Sequence, residues 1–294
     1  MKFNHLVLFF FSNLIFSQAD LINAEKPSDA ENNEMNSVKT LQYEKINEND
    51  ILWSKVVYEY IDLNEKLNFP FLFPTDDDVN KIGRKSLWRV IKEHIVNKLN
   101  SSDTLDLEIY SEDNFTKSEK LTAKQTLDQM SYLFPNRKLG TMEREYIPSN
   151  SIGGYNIKGI WYFDKKQSQL KYRLLGIQPV SASINALKDE VPDPELTSTV
   201  FWIWYPSIRK ELNQNLVFND RNNNNRISFD ALLVNRRFSS YIYKYDNVYG
   251  DRTIKQYIIK RPTESPRQHK LRLLMESERI KKEILDFEVD MWGY

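Results

Sequence analysis

Apolar and polar positions recur along this chain with several distinct periods, and each period predicts an element. After Asp50 as a helix cap, Leu52, Trp53, Val56, Val57, Tyr60 and Ile61 return at helical spacing, which predicts a first helix. The run Asn68-Phe69-Pro70-Phe71-Leu72-Phe73-Pro74 reads as extended, because its two prolines oppose a helix. A second helix is predicted over residues 85–99, with Leu87, Trp88, Ile91, His94, Ile95 and Leu99 on one side. Leu105-Asp106-Leu107-Glu108-Ile109 then alternates like a half-buried strand. A third helix over residues 120–130 precedes a loop-rich stretch through Pro148 to Gly153-Gly154.

The second half is richer in strands. Residues 157–163 and 170–177 are apolar runs separated by Asp164-Lys165-Lys166-Gln167-Ser168-Gln169, which predicts a hairpin with a polar tip. Prolines 179, 192 and 194 bracket a connection to a further strand over residues 197–205. Its block Phe201-Trp202-Ile203-Trp204-Tyr205 has large side chains on both faces, so it is either covered on both sides or presents an aromatic face to a partner. An Asn-rich loop near residues 219–225 leads to a helix capped by Ser228, and Tyr241-Ile242-Tyr243-Lys244-Tyr245 reads as a strand with its tyrosines on one face. Ser265-Pro266-Arg267-Gln268 forms a capping box with proline in the first turn. Beyond it Leu273, Ser277, Ile280, Ile284, Phe287 and Met291 form one stripe on a long helix, able to dock on the chain's own sheet or to join an intermolecular coiled coil. The fold class expected is α+β: an antiparallel sheet with flanking helices and a long amphipathic C-terminal helix.

The N-terminus changes the cellular picture. Lys2 precedes a block from Leu6 to Phe16 that is apolar except for Ser12 and Asn13, and Ser17-Gln18-Ala19 offers a cleavage site. Residues 1–19 are therefore expected to be a signal peptide. Residues 20–49, rich in Asn, Glu, Ser and Lys, are expected to be a flexible segment, and 50–294 a single domain. Cysteine is absent, so lipidation after the cut and disulfide stapling are both closed, and stability rests on a packed core. No later run approaches the ~18 apolar residues of a spanning helix.

Lys+Arg and Asp+Glu balance at 41 each, but unevenly along the chain. Residues 20–83 hold 14 acidic and 6 basic side chains, net −8, whereas residues 206–272 hold 6 and 14, net +8. Such asymmetry steers two protein surfaces together or joins copies head to tail, or else marks two solvated faces. The overall neutrality disfavours nucleic-acid binding.

Chemistry-bearing patterns are sparse. His94 and His269 lack metal-ligand spacing, and His94 on an apolar stripe reads as core packing. No phosphate-binding loop or serine elbow occurs. Asp76-Asp77-Asp78 reads as a solvated turn. Asp220, Asn222 and Asn224 match the first ligands of a calcium loop, but Asn225 replaces its glycine and Ala231 its bidentate Glu, so no metal or cofactor is assigned.

The blocks Ile51-Leu52-Trp53-Ser54-Lys55, Phe71-Leu72-Phe73-Pro74, Ser86-Leu87-Trp88-Arg89, Gly159-Ile160-Trp161-Tyr162-Phe163-Asp164, Phe201-Trp202-Ile203-Trp204-Tyr205-Pro206 and Phe238-Ser239-Ser240-Tyr241-Ile242-Tyr243-Lys244 carry a family likeness. In this order they resemble the GldN family, also called PorN, of the type IX secretion and gliding motility machinery of the Bacteroidota. The resemblance implies a periplasmic, non-catalytic scaffold that forms a ring with copies of itself. It implies as partners a GldK-type outer-membrane lipoprotein and the periplasmic region of GldM. Trp202, Trp204, Tyr241 and Tyr243 are the expected aromatic anchors of an interface, with Arg236, Arg237 and Lys244 as its charges. From other function classes, a glycan-binding module using the Trp and Tyr faces and a carboxylate-pair hydrolase remain open.

Overall fold

The computed structural model describes residues 46–77, 84–101, 105–136, 141–182, 197–217 and 227–292. The predicted signal peptide, the segment to residue 45 and the Asn-rich loop with Asp220, Asn222 and Asn224 lie outside the described residues. Among those described, the first long element corrects the expectation of a helix, because Ile51–Asp62 is a strand, β1. It lies inside an antiparallel sheet, paired with β5 (Ile152–Asp164) on one side and β9 (Tyr241–Tyr245) on the other. Beyond β5 come β6 (Gln169–Ala182), β8 (Trp202–Trp204) and β2 (Ile109–Tyr110), with β7 (Thr197–Thr199) also on β6. Every pairing in this sheet is antiparallel.

The expected hairpin is β5–β6, its turn held by the Asp164 carboxylate accepting from the backbone N–H groups of Lys166 and Gln167 at 2.9 and 3.3 Å. The expected strand over 197–205 is split into β7 and β8, and Tyr205 already begins α4 (Tyr205–Gln214), whose first turn accommodates Pro206. Similarly, Phe69–Leu72 forms a one-turn helix, α1, because Pro70 sits in the first turn, where its missing N–H costs nothing. Of the expected strand over 105–109 only Ile109 pairs, within β2. The stretch read as loop-rich contains a hairpin of its own, β3 (Ser131–Asn136) and β4 (Thr141–Tyr146). The predicted second, third and Ser228-capped helices are α2 (Leu87–Ser101), α3 (Ala123–Gln129) and α5 (Phe229–Val234).

One face of the large sheet carries the core. Ile61, Tyr155, Ile157, Leu174, Ile177, Ile109 and Ile203 point to Leu87, Trp88, Ile91 and Ile95 of α2, to Ile208 and Leu212 of α4, and to Phe229 and Leu233 of α5. A buried fork ties α4 to α5: Arg209 donates to both oxygens of Asp230 at 2.8 and 3.0 Å, and the Tyr205 hydroxyl donates to the same carboxylate. His94 departs from the core-packing expectation. Its Nδ1 lies 3.1 Å from Glu211 and its Nε2 3.0 Å from Asp106, so it clamps α2 to α4 and to the segment before β2. Asp77 likewise does not face solvent alone, since it pairs with Lys92 at 2.6 Å and accepts from Ser149.

After the one-turn helix α6 (Ile254–Tyr257), the long helix α7 (Pro266–Trp292) docks on the same face, over the other end of β1. Its N-terminus is a reciprocal capping box, with Ser265 N–H donating to Gln268 and Gln268 N–H to the Ser265 hydroxyl. Ile280 and Ile284 bury against Val57, Ile242 and Tyr245, each contributing about 1.5–3 kcal/mol. Phe287 stacks on Trp53 at 4.6 Å. Ser277, the polar residue in this stripe, accepts the Ile242 backbone N–H at 2.7 Å, satisfying a donor of the edge strand β9. The stripe therefore belongs to the chain's own sheet.

Candidate functional site

The alternation of β1 sends Trp53, Lys55, Val57, Glu59 and Ile61 to the helix-covered face and Tyr58 and Tyr60 to the other. On this second face Tyr58 meets Tyr243 at 6.2 Å and Trp202 at 6.5 Å between ring centroids, and Tyr60 meets Tyr241 at 5.5 Å. Register supplies the two tryptophans. Ile203 pairs with Ile177 and Ile109 on the core face, so Trp202 and Trp204 project to the opposite one. Phe115, from the loop after β2, lies edge-on to Trp204 at 5.0 Å, Trp202 at 6.2 Å and Tyr110 at 5.4 Å. Gly176 makes room for it, because a Cβ there would come within 2.4 Å of the Phe115 ring. Eight aromatic rings thus share one surface.

Two lysines lie over this surface. Lys244 Nζ sits 4.4 Å from the Tyr58 centroid, and Lys158 Nζ sits 5.2 Å from Tyr58 and 5.3 Å from Phe115. Asp113 ties them down: Lys244 pairs with its carboxylate at 3.1 Å and Lys158 donates to its carbonyl at 2.7 Å. Burial would raise the Asp113 carboxyl, but hydrogen bonds from Tyr58 and Lys244 and the charge of Lys158 hold it below the usual range. Burial, reinforced by Asp113, pushes the Tyr58 phenol well above its ordinary value, and burial also lowers the Lys158 ammonium.

A model of the family described as gliding motility associated protein GldN matches residues 46–293. The chain belongs to the GldN family. It is thus a gliding motility-associated protein. No curated protein matches the chain significantly. The blocks that carry the family likeness fall on both sides of the sheet: Trp53 and Trp88 are core-facing, whereas Trp202, Trp204, Tyr241 and Tyr243 line the aromatic surface.

The expected anchors divide by exposure. Trp202 is buried beneath Tyr58 and Phe115, whereas Trp204, Tyr241 and Tyr243 are half-buried and reach the surface. Of the expected charges, Lys244 lies within the aromatic surface and Arg237 is exposed. Arg236 is on the opposite face, its guanidinium donating to both oxygens of Glu59 at 3.0 and 2.8 Å and packed 4.1 Å from the Tyr172 centroid. Sequence reading missed Tyr58, Phe115, Lys158 and Asp113. The period-2 tyrosines at 58 and 60 could have revealed the first, but the loop approach of Phe115 leaves no local signal. A cleft of about 300 Å³ beside the edge strand, lined by Tyr241, Tyr243, Lys255, Lys270 and Leu273, extends the surface laterally. Among the described residues, no cluster of three His, Cys, Asp or Glu side chains is arranged to hold a metal, and no helix is long and apolar enough to cross a membrane.

Proposed function

We propose that this GldN-family chain is a non-catalytic periplasmic scaffold of the type IX secretion and gliding machinery. It is held at the outer membrane by a GldK-type lipoprotein, contacts the periplasmic region of GldM and assembles with copies of itself in a ring. The observation that carries this reading is the aromatic surface. Among the described residues its rings line the sheet face opposite the helices, Lys244 is ion-paired with Asp113, and Trp204, Tyr241 and Tyr243 are left partly open. Half-exposed Trp and Tyr fixed on a rigid sheet supply large contact area at low entropic cost, which suits a protein partner. On this ring-lined face the Asp113 carboxylate is already held by Tyr58 and Lys244, which offers little to hydrolysis. Affinity purification of the tagged chain from cell-envelope extract tests the reading. Co-purification of an outer-membrane lipoprotein and of a protein with a large periplasmic region is expected. Recovery of the chain alone, or bound only to polysaccharide, would contradict it.

A further inference from the structure

The outward side of α7 carries a second apolar stripe that its docking on the sheet does not use. Leu271, Met275, Leu285 and Val289 are 57, 63, 53 and 68% exposed. With Glu278 and Lys282 they are spaced four, three, four, three and four residues apart, a heptad seam. At about 100° per residue the seam centres on the side of the helix opposite Ile280, facing away from the sheet.

The order of this seam is self-complementary about Ile280. Leu271 and Val289 lie nine residues to either side of it, Met275 and Leu285 five, and Glu278 and Lys282 two. Two copies of α7 laid antiparallel across that point would therefore match Leu271 with Val289, Met275 with Leu285 and Glu278 with Lys282, every layer twice. Heptad phase agrees, since each matched pair joins an a position to a d position, as antiparallel coiled coils require, whereas parallel pairing joins like positions. A parallel pair would set Glu278 against Glu278 and Lys282 against Lys282, so charge selects the antiparallel arrangement. Glu278 has one local partner, Lys281 at 2.8 Å, and is 69% exposed, so it is able to turn to a second cation.

We infer that the outer face of α7 is a two-fold interface with a second copy of this chain, formed by antiparallel helix pairing centred on Ile280. The interface is isologous and closes on itself, so it joins subunits in pairs and does not by itself propagate a ring. It concerns the self-assembly part of the proposed function, yet it stands on the helix alone and needs no lipoprotein. Its failure and the failure of the lipoprotein contact are separable.

The test is sedimentation equilibrium of the purified chain without partners. A concentration-dependent dimer is expected. Lys282→Glu and Glu278→Lys should each weaken it by roughly tenfold or more, because each creates two like-charge layers. The double swap of both residues should restore dimerisation, which a parallel pair could not do. The absence of cysteine allows an orthogonal check. Met275→Cys mixed with Leu285→Cys should form a disulfide under mild oxidation, and Met275→Cys alone should not. A monomer at all concentrations, a dimer indifferent to either charge reversal, or efficient self-crosslinking of Met275→Cys would overturn the inference. At concentrations low enough for every species to be monomeric, a thermal midpoint of the variants equal to the parent's, expected for exposed positions, keeps folding defects from imitating the result.

Discussion

Arg236 illustrates how the structure converts a surface-looking charge into a stability element, and Arg236→Ala is its perturbation. Glu59 is 1% exposed and Arg236 retains 23% exposure, so their bidentate pair is buried mainly on the carboxylate side. The Ser240 hydroxyl also donates to Glu59, and the guanidinium packs against Tyr172, Trp161 and Phe238. Truncation leaves a buried carboxylate without its cation, which costs roughly 3–5 kcal/mol, and the remaining exposure of Arg236 places this case near 3. At about 2–4 °C per kcal/mol for a domain of this size, the thermal midpoint should fall by about 6–12 °C. Alanine is preferred to glycine because Arg236 has φ +51°, a conformation glycine would relax. The assay is thermal unfolding followed by circular dichroism. The double substitution Glu59→Leu with Arg236→Met should recover most of the loss, since an apolar pair of similar volume replaces a buried ion pair with little penalty. An Arg236→Ala midpoint within 2 °C of the parent on the ~2–4 °C scale above would refute the buried-pair account.

Three further outcomes are expected. Ser277→Ala strands the Ile242 N–H beneath α7 and should cost about 1–3 kcal/mol, read as a lower urea midpoint with unchanged slope. Gly176→Ala should destabilise by about 1–3 kcal/mol because its Cβ meets Phe115 and Trp202, and Phe115→Ala in the same background should remove most of that penalty in a double-mutant cycle. The His94 imidazole is raised chiefly by Glu211, against burial, and further by Asp106. Its stabilisation is thus full below the ordinary value of about 6.5 and fades as pH rises through the raised folded value. Thermal midpoints of the parent should accordingly lose ground to those of His94→Gln between mildly acidic and mildly alkaline buffer, and parallel pH profiles would exclude the clamp.

The parts of the fold legible in sequence are those whose stabilising contacts are local or periodic. The hairpin of β5 and β6, the capped α7 and the existence of β9 carry their own turn, cap or composition signals, but the three tyrosines of β9 do not share one face: an irregularity in its pairing with β1 turns Tyr245 towards α7, away from Tyr241 and Tyr243. β1 was misleading for a physical reason. Its inner face includes Lys55 and Glu59, whose partners Glu283 and Arg236 stand far along the chain, so two core-facing positions look polar and break the period of two. What remains, Leu52, Trp53, Val56, Val57, Tyr60 and Ile61, fits a helix as well as a strand covered on both faces. β4, Thr141–Tyr146, is almost wholly exposed and so leaves no apolar pattern to read. The aromatic surface was half visible. Trp204, Tyr241 and Tyr243 stand out by type, whereas Tyr58 was hidden by the misread of β1, and Asp113 and Phe115 reach the surface from a loop.

The claim that this surface is the docking face of a scaffold is tested most directly by titrating the purified chain with the purified outer-membrane lipoprotein, comparing the parent with Trp204→Ala combined with Tyr243→Ala. Centrally placed Trp and Tyr anchors commonly contribute about 2 kcal/mol or more each, so the double variant should bind on the order of 1,000-fold more weakly while keeping its far-ultraviolet circular dichroism. Reversing the exposed Arg237 should mainly slow association and flatten its salt dependence. Parent-like affinity of a folded double variant would show that the partner docks elsewhere and that these rings serve only the sheet.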